Sequence, residues 1–163
     1  RGRVKGVRAA VISVSTSRSA GGGEDVSGPA LAALLEGAGC EVVAVELIPD
    51  ERELIAGRLR YYADEDGCEL IATTGGTGLA PDDVTPEATR DVIEREAPGI
   101  AEAMRLASRE HVPRHWFLSR GVAGTRRRTL IVNFPGNPNA IEQAGAVLVG
   151  SLGHALGLVT GGS

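Results

Sequence analysis

Residues 68 to 89 read CELIATTGGTGLAPDDVTPEAT. A short run rich in apolar and β-branched residues, CELIATT (68–74), stops at two glycines, and Thr85-Pro86-Glu87 then open a helix. The spacing predicts Thr85 as the cap and Pro86 at the first helical position. A strand that passes through a glycine turn into a helix is the repeating unit of a parallel α/β sheet. Asp82 and Asp83 stand between turn and cap, where neither element requires them. Gly75, Gly76, Thr77 and Gly78 let successive backbone N–H groups converge on an anion. Two carboxylates beside such a nest suit Mg²⁺, which binds through one or two carboxylates plus substrate phosphate. A plain strand-to-helix turn is the competing reading of the same residues.

The pattern repeats on both sides of this stretch. VRAAVISV (7–14) reads as a first strand, followed by the loop STSRSAGGGEDV (15–26). A helix expected to be capped by Ser27, with Pro29 in its first turn, puts Leu31, Leu34 and Leu35 on one face. EVVAVELI (41–48) is a second strand, and residues 49–67 form a second helix. There Asp50 and Glu53 have the spacing of a capping box. A break at residues 97–99 starts a helix running through Ala107, and HWFLSRGVAG (115–124) and RTLIVNF (128–134) are expected to be strands. A last helix, capped by Asn137 and started by Pro138, carries Ile141, Ala144, Leu148, Leu152 and Ala155 in one stripe. The expected fold is one α/β domain over residues 1–163, a three-layer α/β/α sandwich with a mostly parallel sheet. Ligands of such sheets bind beyond the carboxyl ends of the strands. The loops 15–26, 49–51, 75–84 and 133–138 meet there.

Composition excludes several functions. The chain has 163 residues, 17 basic against 21 acidic, and a net charge of −4. That balance argues against a general nucleic-acid binder, which needs a basic field. Lys5 is the only lysine, so P-loop and Schiff-base chemistry have no residue to carry them. Cys40 and Cys68 match no zinc spacing and suit a reducing cytoplasm. No segment reaches membrane-spanning length, and the basic-then-apolar start reads as a strand rather than a signal peptide.

Other motifs say less. NFPGNP (133–138) is as consistent with a plain turn as with a ligand loop. STSRSAGGGEDV fails the dinucleotide fingerprint, because the third glycine would fall at Val26. HVPRH (111–115) has zinc-helix spacing but is broken by Pro113 and reads as a surface loop; TRRR (125–128) reads as a hairpin turn.

Taken together, TTGGTGLAPDDVTPEAT, LSRGVAGT, TLIVNFPGNP and DVSGPALAALLEGAG resemble the Mog/MoaB family of molybdenum-cofactor biosynthesis proteins. The resemblance covers nearly the whole chain in order. It implies the molybdopterin-binding fold, a homo-oligomer (most often a trimer), and transfer of AMP from Mg²⁺-ATP to the terminal phosphate of molybdopterin with release of pyrophosphate. A molybdate-insertion enzyme would be the downstream partner. By motif position, the resemblance makes Asp50 and Asp83 the catalytic acidic pair and tentative Mg²⁺ ligands. It assigns substrate or phosphate contacts to Thr74, Gly75, Gly76, Thr77, Gly78, Ser119, Arg120, Pro135, Gly136 and Asn137.

The sequence departs from that pattern at three places. Many relatives carry aspartate after the first strand where this chain has Thr16, although Glu24 and Asp25 keep carboxylates in that loop. Arg127 replaces a common glycine, and residues 111–117 are bulkier than usual. The last two are expected near the substrate rim. Two other functions stand beside the adenylyltransferase: a MoaB-like protein that binds pterin or its precursor without turnover, and, further off, a nucleotide hydrolase of the competence-damage-inducible type. The latter family usually has Gly-Pro-Thr where this chain has Gly78-Leu79-Ala80.

Overall fold

The computed structural model describes residues 4–162. The chain runs through β1 (Arg8–Val14), α1 (Thr16–Ser19), α2 (Ser27–Gly37), β2 (Glu41–Ile48) and α3 (Arg52–Arg60), the last prolonged by a π turn at Tyr61–Glu65. It continues through β3 (Leu70–Thr74), α4 (Thr85–Arg90), β4 (Arg95–Glu96), α5 (Pro98–Ala107), β5 (Ala123–Arg126), β6 (Thr129–Phe134) and α6 (Pro138–Val159). The strands form one sheet in the order β2-β1-β3-β6-β5-β4. The first four are mutually parallel, while β5 and β4 add an antiparallel edge. The mostly parallel three-layer fold expected from the sequence is the one observed.

Period-two alternation explains why the parallel strands look uniformly apolar. Ala9, Val11, Leu70, Ala72, Leu130 and Val132 face α2, α5 and α6, packing on Leu31, Leu35, Met104, Ile141, Leu148 and Leu152. Their neighbours Ala10, Ile12, Ile71 and Ile131 face α3 and α4, packing on Ile55, Leu59, Tyr62, Ala88 and Val92. A strand buried on both faces has no polar side to show. Strand β2 is the exception because it forms an edge, and it is blunted by charge: Glu46 pairs with Arg58 and accepts a hydrogen bond from the Tyr62 hydroxyl. Cys40 and Cys68 are free and buried, and burial pushes their thiols up to about 11 and about 12. They are packing residues rather than nucleophiles. Among the described residues no helix is long and apolar enough to cross a membrane.

The chain leaves β1 by way of α2 to reach β2 on one side, then returns through α3 to β3 on the other. That reversal opens a crevice at the carboxyl ends of β1 and β3.

Three local expectations change. Residues 115–124 do not form a strand: Trp116–Leu118 make a 3₁₀ turn and pairing begins only at Ala123. Arg105 of α5 explains this, because its guanidinium donates to the Ser119 and Gly121 carbonyls and holds the segment against the helix. Ser27 is not the cap of α2; Asp25 Oδ1 accepts from Gly28 N at 3.1 Å and does that work. Arg127 lies in the β5–β6 hairpin, with its N–H on Glu94 Oε1 and its guanidinium near Asp64. This is the amino end of β6, so Arg127 sits at the opposite end of the sheet from the crevice.

Asn133 joins three elements within the core. Its Oδ1 accepts from Val122 N at 3.1 Å, and its Nδ2 donates to Thr73 Oγ1 at 2.9 Å and Thr89 Oγ1 at 3.0 Å. Removing these bonds strands buried polar partners. Asn133→Ala is expected to lower unfolding free energy by about 2–4 kcal/mol in urea titrations.

Candidate active site

The glycine turn after β3 fits between two backbones. Gly75 has φ +93° and Gly76 φ +70°. A Cβ at Gly75 would strike the Val14 carbonyl of β1, and one at Gly76 would strike Thr85 Oγ1 and lie 3.1 Å from Asp50 Oδ1. Only glycine satisfies both conditions. Arg120 then fixes the far side of the turn. Its N–H donates to Thr77 O at 2.7 Å, and its guanidinium reaches Gly78 O, Asp83 O and the Glu87 carboxylate at 2.8, 2.8 and 2.6 Å. Arg120 therefore braces the loop from behind and lines neither cavity described below. Thr74 Oγ1 donates to Pro135 O at 2.6 Å and Ser27 Oγ to Gly136 O at 2.7 Å, drawing the NFPGNP loop against the glycine turn. Asn137 caps α6 as expected, accepting from Asn139 N at 2.9 Å.

Two expected caps do not perform that duty. Thr85 lies inside α4, with its hydroxyl buried and, among the described residues, without a hydrogen-bond partner. Asp50 does not cap α3; Glu51 takes the cap position with no side-chain bond. Instead Asp50 Oδ2 accepts from Thr16 N and Thr16 Oγ1, both at 2.9 Å. Asp83 Oδ2 accepts from Ala80 N at 3.0 Å. Each carboxylate is thus oriented through one oxygen, and among the described residues its Oδ1 accepts no hydrogen bond. Asp25 Oδ1 accepts from Ser13 Oγ and Gly28 N, and Asp25 lines neither cavity, so it stands apart from the acidic pair. Asp82 is exposed and lines neither cavity.

Two cavities meet at this point. The smaller, of about 220 Å³, is polar: Ser13, Ser15, Arg18, Ser27, Asp50, Thr74, Gly75, Gly76, Asp83 and Gly136 line it. The larger, of about 430 Å³, runs along α5 and is mainly apolar, with Ala101, Met104, Val112, Trp116 and Leu118 facing Thr77, Gly78, Ser119, Pro135 and Asn137. Gly76, Asp83 and Gly136 belong to both. Eleven of the twelve anticipated residues line one cavity or the other; Arg120 is the exception. Arg18 and Trp116 were not anticipated. Arg18 lies in a loop that sequence placed at this edge, but nothing in residue type marked it; Trp116 lay in a segment expected to be a strand, and only the bulk of residues 111–117 placed it near the substrate rim. Among the described residues no group of three metal-ligating side chains occurs. Two carboxylates with free Oδ1 atoms beside a glycine turn still fit Mg²⁺, a cation that takes its remaining oxygens from phosphate and water.

The fold and this double cavity define a mostly parallel α/β protein in which a polar site beside a glycine turn opens onto an apolar cleft. Residues 10–154 match the family described as probable molybdopterin binding domain, and the chain belongs to it. It is 47% identical over 135 residues to a molybdopterin adenylyltransferase of Haemophilus influenzae, covering 82% of this chain and 68% of that one. A molybdopterin adenylyltransferase of Helicobacter pylori strain J99 is 39% identical over 153 residues, 93% of this chain and 86% of its own. Among solved structures, the molybdopterin biosynthesis enzyme MoaB of Thermus thermophilus superposes with a TM-score of 0.89 at 47% identity, covering 95% of this chain and 97% of that chain.

Two outcomes test this geometry. Gly76→Ala is expected to lose about 1–3 kcal/mol through left-handed strain, whereas Gly37→Ala, at a helical position with open space around it, gains up to about 1 kcal/mol. Thermal unfolding of both variants decides. The Arg120 guanidinium holds the Glu87 carboxyl below its ordinary value of 4.5. A depressed carboxyl stabilises the fold fully above its unfolded pKa and loses that contribution as pH falls through the folded one. The melting-temperature gap between wild type and Glu87→Gln should hold steady at neutral pH and close as pH falls below 4.5.

Proposed function

We propose that this chain is a molybdopterin adenylyltransferase of molybdenum-cofactor biosynthesis. The observation that carries the reading is the wall shared by the two cavities. A pterin ring suits the apolar cavity under Met104 and Trp116, and a polyphosphate suits the polar one beside Arg18 and the glycine turn. The atoms that react would then lie at Gly76, Asp83 and Gly136. The relatives' printed names give the same activity.

In the reaction proposed, an oxygen of the molybdopterin terminal phosphate attacks the α-phosphorus of ATP. The bond to the β-phosphate breaks, and pyrophosphate leaves with the electron pair. The nucleophile is already an anion, so no general base is needed. The work of the protein is alignment and charge neutralisation. N–H groups of the glycine turn and the Arg18 guanidinium would face the phosphates, and Asn137 and Ser119 would orient the pterin side. Asp50 and Asp83 are the residues that would hold Mg²⁺, which when bound offsets the charge of the phosphates. Family resemblance supports the homotrimer and hand-over to a molybdate-insertion enzyme, and the two free cysteines support a cytoplasmic setting.

The test is transfer of label from ATP, marked at the α-phosphate, to purified molybdopterin. Wild type should transfer it, and Asp83→Asn and Asp50→Asn should each fall by about 10²–10³-fold, the usual effect of removing one transition-state stabiliser. Tight pterin binding without transfer in the wild type would overturn the reading in favour of a binding-only, MoaB-like role.

A further inference from the structure

We propose that Thr16 is a positioning residue that sets the metal-facing oxygen of Asp50. Thr16 N and Thr16 Oγ1 both donate to Asp50 Oδ2, and Asp50 N donates back to Thr16 Oγ1; all three distances are 2.9 Å. The clasp is reciprocal and uses one hydroxyl twice, as donor to the carboxylate and acceptor from the backbone. A hydroxyl is suited to both tasks at once; an ionised carboxylate is an acceptor only and a methyl neither. With Oδ2 engaged, Asp50 is left to present Oδ1, which stands beside Gly76 at the junction of the two cavities.

The clasp also sets the first loop. Helix α1 has only four residues, none of them buried, so apolar packing does not hold it in place. The Thr16 clasp and the Ser15 N–H on Ile48 O at 2.9 Å tie its start to the end of β2. Arg18, two residues on, lines the same polar cavity as Asp50 and Asp83. One side chain therefore anchors both the Asp50 carboxylate and the start of the short helix that carries Arg18. Thr16 holds Asp50 without bringing a further negative charge to the cavity.

The inference rests on the reading of Asp50 as a Mg²⁺ ligand, and its test does not use the pterin. Binding of Mn²⁺ to the protein with an α,β-methylene analogue of ATP is followed by electron paramagnetic resonance. Loss of a residue that orients a ligand typically weakens metal affinity by about 10–100-fold, and Thr16→Val is expected to fall in that range. Thr16→Ser keeps the hydroxyl and should stay within about threefold, less than the loss of one hydrogen bond to a charged group. Circular dichroism and melting curves establish folding, and Thr16→Ala gives the same comparison should Thr16→Val not fold. In transfer assays, Thr16→Val should need more Mg²⁺ but approach the wild-type rate at saturation. Unchanged Mn²⁺ affinity in a folded Thr16→Val or Thr16→Ala protein overturns the proposal, as does equal weakening in Thr16→Ser. If the wild type transfers no AMP yet shows this pattern of Mn²⁺ affinities, the proposed activity fails and the clasp stands. A wild type that binds no Mn²⁺ beyond the nucleotide's own affinity overturns the clasp's metal role directly.

Discussion

The approach of Gly75 to the carbonyl of Val14 is the constraint on which the site depends. Strands β1 and β3 run side by side with Ser13 opposite Thr74, so whatever follows β3 emerges directly against the end of β1. A side chain at residue 75 would push the turn out of the crevice. With glycine there, the turn folds across the switch point and places Gly76 between Asp50 and Thr85. The chain then doubles back to set Asp83 on the same opening. The Arg120 brace and the Thr74 bond to Pro135 hold this arrangement from two sides. They lock a geometry that the close approach makes available.

The sheet was legible because its periodicity is simple. β1, β2, β3 and β6 are the apolar runs that the sequence shows, and strand–helix alternation sets their parallel sense. The two-residue β4 carries no periodic signal, and it exists because β5 needs an outer partner. Residues 115–118 are rich in bulky apolar side chains, which local propensity reads as strand; the Arg105 side chain and the cavity draw them into a turn instead. Propensity yielded to tertiary contacts there.

The caps show the same limit from another direction. Thr85, Asp50 and Ser27 all stand where a helix start wants an oxygen, and local chemistry assigns each to that duty. None performs it. Ser27 reaches across 109 positions of sequence to Gly136 O, and Asp50 across 34 to Thr16. Such partners are invisible to local spacing, so the acidic pair was reachable only as part of a longer motif. Arg18 is the counterpart: the loop was placed correctly, but one arginine among sixteen gave no reason to be singled out.

The two cavities are built from different layers. The polar one is walled largely by strand ends and the turns that leave them, so its shape is tied to sheet register. The apolar one takes Met104 and Ala101 from α5 and Trp116 and Leu118 from the segment that Arg105 holds. Changes in α5 or residues 112–118 can therefore reshape the apolar cavity while leaving strand register untouched. One half of the double cavity is thus set by backbone register and the other by side-chain volume on a helix and a turn, so the two can be altered separately.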